Sequence, residues 1–381
     1  MLFAGPKLDP AATRRLREFP HETPLMSCVV DPTGRWCFAG GRSRRVYVTD
    51  LNSGVTEALE DHESWVVTAT RWSTAGVPVR SPAAELEPPP PPLPRDTTVK
   101  AAGARKAAVA AVAAQEESLV ITGDLVGRLI CWDTLGQWPV VRWSVETGHG
   151  TLRTVAVSGD GKQVATGGGD GVVRLWSITD GSSIRELTGH ACPVFSTAFH
   201  PDGTHLLSGD RGDQKIKQWD YAAGKQIREF DAKDLSNYKG GTDINYGGVR
   251  DLAFTPDGAV IFCCGRDSYG RPGLVLQFDW KTGQQIRKQV STFTKSIFHH
   301  VIFHPQGFFV TAGVGAQTGE IWFWTPGKDE KLASVKVSGP AYGMDLQPDG
   351  RHIIVAQMSG PRTYGDRGMV GLYEMPLATK T

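Results

Sequence analysis

Short runs of apolar residues recur along the chain at nearly regular intervals, separated by turns rich in glycine, aspartate and proline. One unit has an apolar run, a turn of the form Pro-Asp-Gly, a second run that ends in Ser-Gly or Thr-Gly, and a third that ends in Trp-Asp. Apolar and polar residues alternate inside the runs, as in half-buried β-strands. The pattern predicts a repeated all-β unit whose glycines and prolines mark the turns.

The clearest copies of this unit lie in the middle of the chain and begin at Ala156, Ala198 and Ala253. Weaker copies flank them, which brings the count to seven. The positions that correspond to the tryptophan of Trp-Asp are Thr49, Trp132, Trp176, Trp219, Phe278, Trp324 and Tyr373. Most intervals between them are in the forties, which is the length of a four-stranded propeller blade.

Over nearly its whole length the sequence resembles the WD40-repeat family, and the resemblance implies a seven-bladed β-propeller. We predict one such domain over residues 1–381. The first interval is nearly twice the others, so an eighth blade is the alternative. The extra stretch, Ser73 to Arg105, contains a proline run and no second Trp-Asp. We therefore predict seven blades with a Pro/Ala-rich insertion over about residues 73–107 of blade 2.

The last copy of the unit stops near Met375 and has no fourth strand of its own. A matching segment stands at the N-terminus, where RLREF (Arg15 to Phe19) repeats the fourth-strand segments SIREL and QIREF of the third and fourth blades. We predict that an N-terminal strand, about residues 13–20, pairs with blade 7 and closes the ring. Closure of this kind covers the edges that the first and last blades would otherwise expose.

The resemblance also implies a buried hydrogen-bond set of histidine, serine or threonine, aspartate and tryptophan within a blade. Two blades match it, with His149, Thr166, Asp170 and Trp176 in one and His190, Ser208, Asp213 and Trp219 in the other. Hydrolases use similar residue types. Here, however, the aspartate precedes the tryptophan by six residues, as a turn between the second and third strands requires, and the four groups would satisfy one another. We therefore predict a structural role.

The charge balance and hydropathy narrow the classes of partner. Forty-one basic and 40 acidic residues give a net charge of +1, which provides no overall field to attract nucleic acid or anionic lipid. No apolar run approaches the roughly 18 residues of a membrane span, and the N-terminal segment lacks the apolar stretch of a signal peptide. We expect a cytoplasmic, monomeric propeller that binds another protein or a peptide, with no membrane or nucleic-acid partner.

No motif in the sequence predicts a catalytic residue, a metal site or a cofactor. The six cysteines form no C-x-x-C pair and lie mostly in apolar runs, as buried small side chains do. His299 and His300 are adjacent on a predicted strand and would point to opposite faces, so they cannot easily share a metal ion. The alternative, a propeller enzyme with a pocket at the axial channel, would need convergent carboxylates, histidines or a metal.

A candidate binding site lies on one face of blades 5–7. In a propeller, the connections between blades and those between second and third strands emerge on the same side, named here the top face. Four long connections belong to it: residues 232–248, 265–273, 313–319 and 357–368. The candidate binding residues are Tyr246, Arg266, Tyr269, Arg271, Arg362, Tyr364 and Arg367. Guanidinium groups would recognise carboxylate or phosphate, and tyrosines would supply flat contact area.

These features favour a WD40 scaffold or adaptor that binds a partner through its top face. In one alternative the same loops pack on each other through ion pairs with Asp243, Asp267 and Asp366. In another they bind anions or nucleic acid, with steep salt dependence. The proline run is either a ligand for an aromatic-lined groove or a spacer. It leaves the bottom face if Ser64–Trp72 forms the first strand of blade 2, as His62 favours, and the top face if Ala108–Ala114 does.

Overall fold

The computed structural model shows an all-β chain with seven four-stranded sheets arranged as blades in a ring. The prediction of a seven-bladed β-propeller is therefore confirmed. In the ranges that the structure describes, no helix is long and apolar enough to cross a lipid bilayer. These ranges are residues 6–59, 61–74, 116–235, 248–267, 272–291, 296–314, 319–359 and 366–378.

The blades follow one another in chain order, after the N-terminal 3₁₀ turn Pro10–Ala12 and strand β1 (Arg14–His21). Blade 1 contains β2 (Leu25–Val30), β3 (Trp36–Gly41), β4 (Val46–Asp50) and β5 (Thr56–Leu59). Blade 2 contains β6 (Val66–Ser73), β7 (Ser118–Asp124), β8 (Arg128–Asp133) and β9 (Val140–Glu146). Blade 3 contains β10 (Leu152–Val157), β11 (Gln163–Gly168), β12 (Val173–Ser177) and β13 (Ser183–Leu187). Blade 4 contains β14 (Val194–Phe199), β15 (His205–Asp210), β16 (Lys215–Asp220) and β17 (Lys225–Asp231).

Blades 5 to 7 continue this arrangement. Blade 5 contains β18 (Asp251–Phe254), β19 (Val260–Arg266), β20 (Gly273–Asp279) and β21 (Gln285–Val290). Blade 6 contains β22 (Ile297–Phe303), β23 (Phe309–Val314), β24 (Gly319–Trp324) and β25 (Lys331–Val337). Blade 7 contains β26 (Ala341–Leu346), β27 (His352–Ser359) and β28 (Arg367–Glu374), with β1 as its outer strand.

The hydrophobic core lies between neighbouring blades. The first strands of successive blades contact one another and so form the inner wall of the ring. All seven positions aligned with the tryptophan of Trp-Asp lie in the third strand of their blades and are at most 6% exposed. Trp219 of blade 4, for example, packs in one cluster with Val173 and Leu175 of blade 3. A blade therefore cannot bury its apolar faces without both neighbours.

The N-terminal strand closes the ring as predicted. β1 pairs antiparallel with β28, from Arg14 opposite Glu374 to His21 opposite Gly368. Phe19 is 3% exposed and packs in one cluster with Leu25 of blade 1 and Val370 of blade 7. The two ends of the chain are thus joined through both backbone pairing and apolar burial.

The repeated arginine of the fourth strands links three of the blades to the blade that follows. In three blades it donates to a backbone oxygen in the turn between the third and fourth strands of the following blade. The donor–acceptor pairs are Arg17 with Ser53 (3.1 Å), Arg185 with Ala223 (3.3 Å) and Arg228 with Lys281 (3.1 Å). We name these contacts the arginine latches. The arginine shared by the segments RLREF, SIREL and QIREF therefore also forms a contact between blades.

In two of the receiving turns a glycine lies close to the arginine side chain. Gly54 has φ +80° and Gly224 has φ +73°, a backbone region that favours glycine. A Cβ atom at Gly54 would lie 2.0 Å from Arg17 Nη2, and one at Gly224 would lie 2.6 Å from Arg185 Nη1. The backbone conformation therefore favours glycine in these turns, and the missing Cβ lets the arginine side chain approach.

The insertion of blade 2 lies between its first and second strands. β6 (Val66–Ser73) pairs with β7 (Ser118–Asp124), which places the first strand where His62 favoured it. At the two ends of the insertion, Thr74 and Glu117 exchange hydrogen bonds of 3.2 and 2.8 Å. Its described ends, Thr74 and Glu117, therefore lie at the bottom face. Most of it, together with Ala108–Ala114, lies outside the described residues.

Candidate functional site: an arginine cluster on the top face

The predicted hydrogen-bond set of blade 3 is assembled in the structure. His149 Nδ1 lies 2.8 Å from Asp170 Oδ1, and His149 Nε2 lies 2.8 Å from Thr166 Oγ1. Trp176 Nε1 donates to the same hydroxyl at 2.8 Å. Burial lowers the pKa of His149, so its imidazole is neutral at neutral pH. The threonine hydroxyl is engaged from two sides, which suits a structural contact more than a nucleophile.

The set of blade 4 uses a different aspartate, and the assignment of Asp213 is wrong. His190 Nδ1 lies 3.1 Å from Asp210 Oδ2, and Asp210 is 1% exposed. Asp213 is exposed and donates its backbone N–H to Asp210 Oδ1 at 3.0 Å. The last residue of β15 already supplies a carboxylate next to the histidine. The path from Ser208 to Trp219 is also one residue longer than that from Thr166 to Trp176, which leaves Asp213 on the solvent side of the turn.

Blade 2 contains a third complete set that the sequence reading did not assign. His62 Nε2 lies 2.8 Å from Thr122 Oγ1, and His62 Nδ1 lies 3.2 Å from Asp124 Oδ2. Trp132 Nε1 donates to Thr122 Oγ1 at 2.8 Å. The insertion separates His62 from the other members along the chain. The aspartate also stands two residues after the threonine, a position that Asp210 shares relative to Ser208.

Only two of the seven candidate binding residues lie in the described part of the chain. Arg266 ends β19, and Arg367 begins β28 and is exposed. Arg266 belongs to blade 5 and Arg367 to blade 7. The other five candidates are Tyr246, Tyr269, Arg271, Arg362 and Tyr364, and they lie outside the described residues.

Arg266 belongs to a group of basic side chains that the sequence reading did not assemble. The guanidinium carbons of Arg153, Arg211 and Arg250 lie 5.2, 5.8 and 5.1 Å from the centroid of one ring, that of Phe195. We name Arg153, Arg211, Arg250 and Arg266 the arginine cluster. Arg153 and Phe195 are the second residues of β10 and β14, and Arg250 immediately precedes β18. Because inner strands begin at the top face, the cluster lies there, beside the ring axis.

The electrostatics of the arginine cluster show mutual repulsion. Burial, followed by the guanidinium groups of Arg153, Arg266 and Arg211, lowers the pKa of Arg250 to about 9. Burial and the neighbouring Arg211 also lower the pKa of Arg153. An arginine side chain keeps its proton in proteins, so these shifts express the unfavourable free energy of clustered positive charge. A negatively charged ligand would relieve it.

His299 extends the cluster along the inner wall. Burial and the charges of Arg250, His300 and Arg266 hold the pKa of His299 well below its ordinary value. Its ring lies 4.9 Å from that of Tyr342. The neighbouring His300 lies 3.3 Å from Asp251 Oδ2 and 2.9 Å from the backbone oxygen of Tyr342. The two histidines thus contact different groups: His299 lies against the Tyr342 ring, whereas His300 contacts Asp251 and the backbone of Tyr342.

In the described ranges, no group of three or more histidine, cysteine, aspartate or glutamate side chains could hold a metal ion. Five of the six cysteines are buried, and Cys192 is partly exposed. Burial raises the pKa of the Cys131 thiol to about 12, which keeps it protonated.

Alignment of the inner strands could have revealed the cluster. When the blades are superimposed by strand register, Arg153, Phe195, Arg250 and His299 occupy the same position near the start of the first strand. The predicted binding site rests on the long connections, and the inner strands enter that prediction only as scaffold. The signal was therefore present in the sequence, at positions that were read only for their apolar pattern.

Comparison with known proteins agrees with this architecture. The family model described as WD domain, G-beta repeat matches residues 13–50, 142–177, 181–220 and 238–270. The first match begins next to β1, the outer strand of blade 7, and ends with the third strand of blade 1. A repeat in the sequence therefore straddles two blades, which is the arrangement that the closing strand requires.

Three relatives illustrate the similarity. The periodic tryptophan protein 2 homolog of Schizosaccharomyces pombe is 28% identical over 185 residues, which cover 44% of this chain and 21% of that protein. Protein HIR1 of Eremothecium gossypii is 24% identical over 235 residues, covering 54% and 28%. The transcriptional corepressor LEUNIG_HOMOLOG of Arabidopsis thaliana is 27% identical over 188 residues, covering 42% and 23%.

The matched region spans about a quarter of the length of each of these relatives. The seven blades, the histidine–threonine–aspartate–tryptophan sets and the matched repeats lead to one conclusion. Four stretches of this chain match the WD40 repeat, and its fold is the seven-bladed β-propeller of the WD40 type.

Proposed function

We propose that this propeller is a non-enzymatic scaffold or adaptor that binds a protein partner through its top face. The observation that carries the proposal is the arginine cluster, which gathers positive charge from blades 3, 4 and 5 at one place. Arg250 follows the predicted connection 232–248 in the chain, and Arg266 stands at the start of the predicted connection 265–273. Arginine with aromatic side chains is the composition enriched at the energetic centres of protein interfaces.

Affinity capture tests this proposal. The full chain is immobilised and exposed to lysate of the source cells, beside an Arg266→Ala/Arg367→Ala variant. We expect the variant to lose the specific partners because it removes two top-face charges. The matched control is Lys162→Ala/Lys328→Ala, which removes two exposed charges from turns at the opposite ends of the strands. Unchanged capture by the top-face variant would contradict the proposal. A cytoplasmic location and a monomeric state remain predictions.

A further inference from the structure

The arginine cluster contains buried donors that lack acceptors within the described ranges. Nε of Arg153 and both Nε and Nη2 of Arg250 are shielded from solvent and have no hydrogen-bond partner there. A buried donor without an acceptor destabilises the fold, and a ligand that supplies the acceptor removes the penalty. These nitrogens belong to two blades, so one group held between them would be bound from two sides.

Phe195 holds these side chains in a fixed place. Its ring contacts the guanidinium groups of Arg153 and Arg250 at 5.2 and 5.1 Å, measured from the guanidinium carbon to the ring centroid. A guanidinium keeps its N–H donors in its own plane, and aromatic contact leaves those donors available to an acceptor. The donors are therefore positioned before a ligand arrives, which reduces the entropy lost on binding.

The number of positive charges in the arginine cluster indicates which anionic group it binds. Arg211 and Arg266 act electrostatically on Arg250 together with Arg153, so several positive charges share one site. A single carboxylate has one charge and two oxygens. A phosphate monoester has a charge of about −1.5 to −2 and three strong acceptor oxygens. The geometry points to a phosphate monoester on the protein partner as the group that the arginine cluster binds. This inference rests on the top-face function proposed above.

The first test measures the melting temperature of the full chain with inorganic phosphate, and with acetate or chloride at equal ionic strength. We expect phosphate to raise the melting temperature in proportion to the logarithm of its concentration once binding saturates. The increase should disappear in Arg153→Gln and Arg250→Gln. It should persist in Arg142→Gln, whose arginine lies on the outer strand of blade 2 and pairs with Glu117 at 2.7 Å. Equal increases in all four proteins would overturn the inference.

A second measurement keeps the test valid if a variant folds poorly. Without phosphate, Arg250→Gln should melt at the same temperature as the parent chain or roughly 1–3 °C higher, because it removes repulsion within the cluster. A lower melting temperature would show that the guanidinium has a structural partner. That result would overturn the inference even if phosphate binding were lost.

A third experiment separates this inference from the proposed function. Capture from lysate is repeated after phosphatase treatment of the lysate, and we expect at least a tenfold loss of the specific partners. If the partners persist after phosphatase but are lost with Arg266→Ala/Arg367→Ala, the top-face function stands and the phosphate inference fails. Competition by a single-stranded oligonucleotide but not by a phosphorylated peptide would assign the cluster to nucleic acid and overturn the inference.

Discussion

At the scale of the residue, a buried carboxylate at the end of a second strand organises a whole turn. Asp124 accepts hydrogen bonds from the backbone N–H groups of Glu63, Gly127 and Arg128, in addition to its contact with His62. Burial opposes its ionisation, but the hydrogen bonds from His62 and the backbone outweigh burial and lower the pKa of Asp124. Asp210 occupies the equivalent position in blade 4.

Asp210 and Asp213 form a matched pair for testing this role. Asp210→Ala should lower the free energy of unfolding by about 1–3 kcal/mol, because His190 and the turn amides lose their buried acceptor. Asp213→Ala should change it by less than about 0.5 kcal/mol, because the side chain is exposed. Urea denaturation of both variants measures the difference. Equal losses would contradict the assignment of Asp210.

His21 makes the stability depend on pH. It is 5% exposed, its ring lies 4.8 Å from that of Tyr47, and burial lowers its pKa from 6.5 to about 4. The unfolded chain therefore binds more protons than the folded chain between those values. The stability from neutral His21 is complete above about pH 6.5 and is lost as pH falls towards 4.

The His21→Phe variant tests this dependence. From pH 7.5 to pH 5, the parent chain should lose about 2 kcal/mol more stability than the variant, since each unit of pKa shift corresponds to about 1.4 kcal/mol. Urea denaturation at the two pH values gives the comparison, and all other histidines are common to both proteins. Parallel losses in the two proteins would show that His21 does not titrate with a lowered pKa.

At the scale of the element, the fourth strands share one local irregularity. In β13, β17 and β21 the pairing register shifts by one residue opposite the tryptophan position. The extra residue is Ile184, Ile227 or Ile286, and each is between 46% and 51% exposed. A bulge of this kind re-aims the side chains that follow it. The next residue is the arginine, and in β13 and β17 it forms a latch to the following blade.

The latches should differ in strength because their burial differs. Arg228 is half-buried and lies 4.8 Å from the Phe230 ring centroid and 5.3 Å from that of Trp280, whereas Arg185 is exposed. Arg228→Ala should therefore cost about 1–2 kcal/mol, and Arg185→Ala less than about 0.5 kcal/mol. Urea denaturation measures both. A larger loss for Arg185→Ala would contradict this account of the latches.

At the scale of the whole molecule, the ring depends on one strand from the far end of the chain. β1 covers the edge of β28 and inserts Phe19 between blades 7 and 1. Without it, blade 7 would present an unpaired strand edge, and such edges invite association with other chains. Stability and resistance to aggregation therefore both depend on closure.

Two substitutions within β1 test whether the buried side chain of Phe19, and not only the pairing of the strand, stabilises the ring. Phe19→Ala should cost about 3–5 kcal/mol, because it removes a buried aromatic side chain. Leu16→Ala should cost less than about 0.5 kcal/mol, because Leu16 is 46% exposed. Deletion of residues 1–20 should lower the melting temperature more than either substitution. Thermal denaturation measures all three, and an unchanged melting temperature for the deletion would contradict closure by β1.

Local periodicity was sufficient to predict the strands, the seven blades and the closing segment. Alternating apolar residues specify which face of a strand is buried, and the spacing of the Trp-Asp positions specifies the length of a blade. Periodicity and spacing do not decide between Asp210 and Asp213 as the partner of His190. Both stand near the same turn, and only the path of the backbone decides which carboxylate faces His190.

What the sequence determined by itself is therefore the repeat: where strands begin and end, how many blades form, and which segment completes the last one. The tertiary structure alone decided which distant residues meet. Arg153, Arg211 and Arg250 come from three blades and surround Phe195 only because the ring places their inner strands side by side. Hydrophobic periodicity is a local property of the chain. The convergence of charge at the axis depends on how the blades pack, which the apolar pattern of a single strand does not encode.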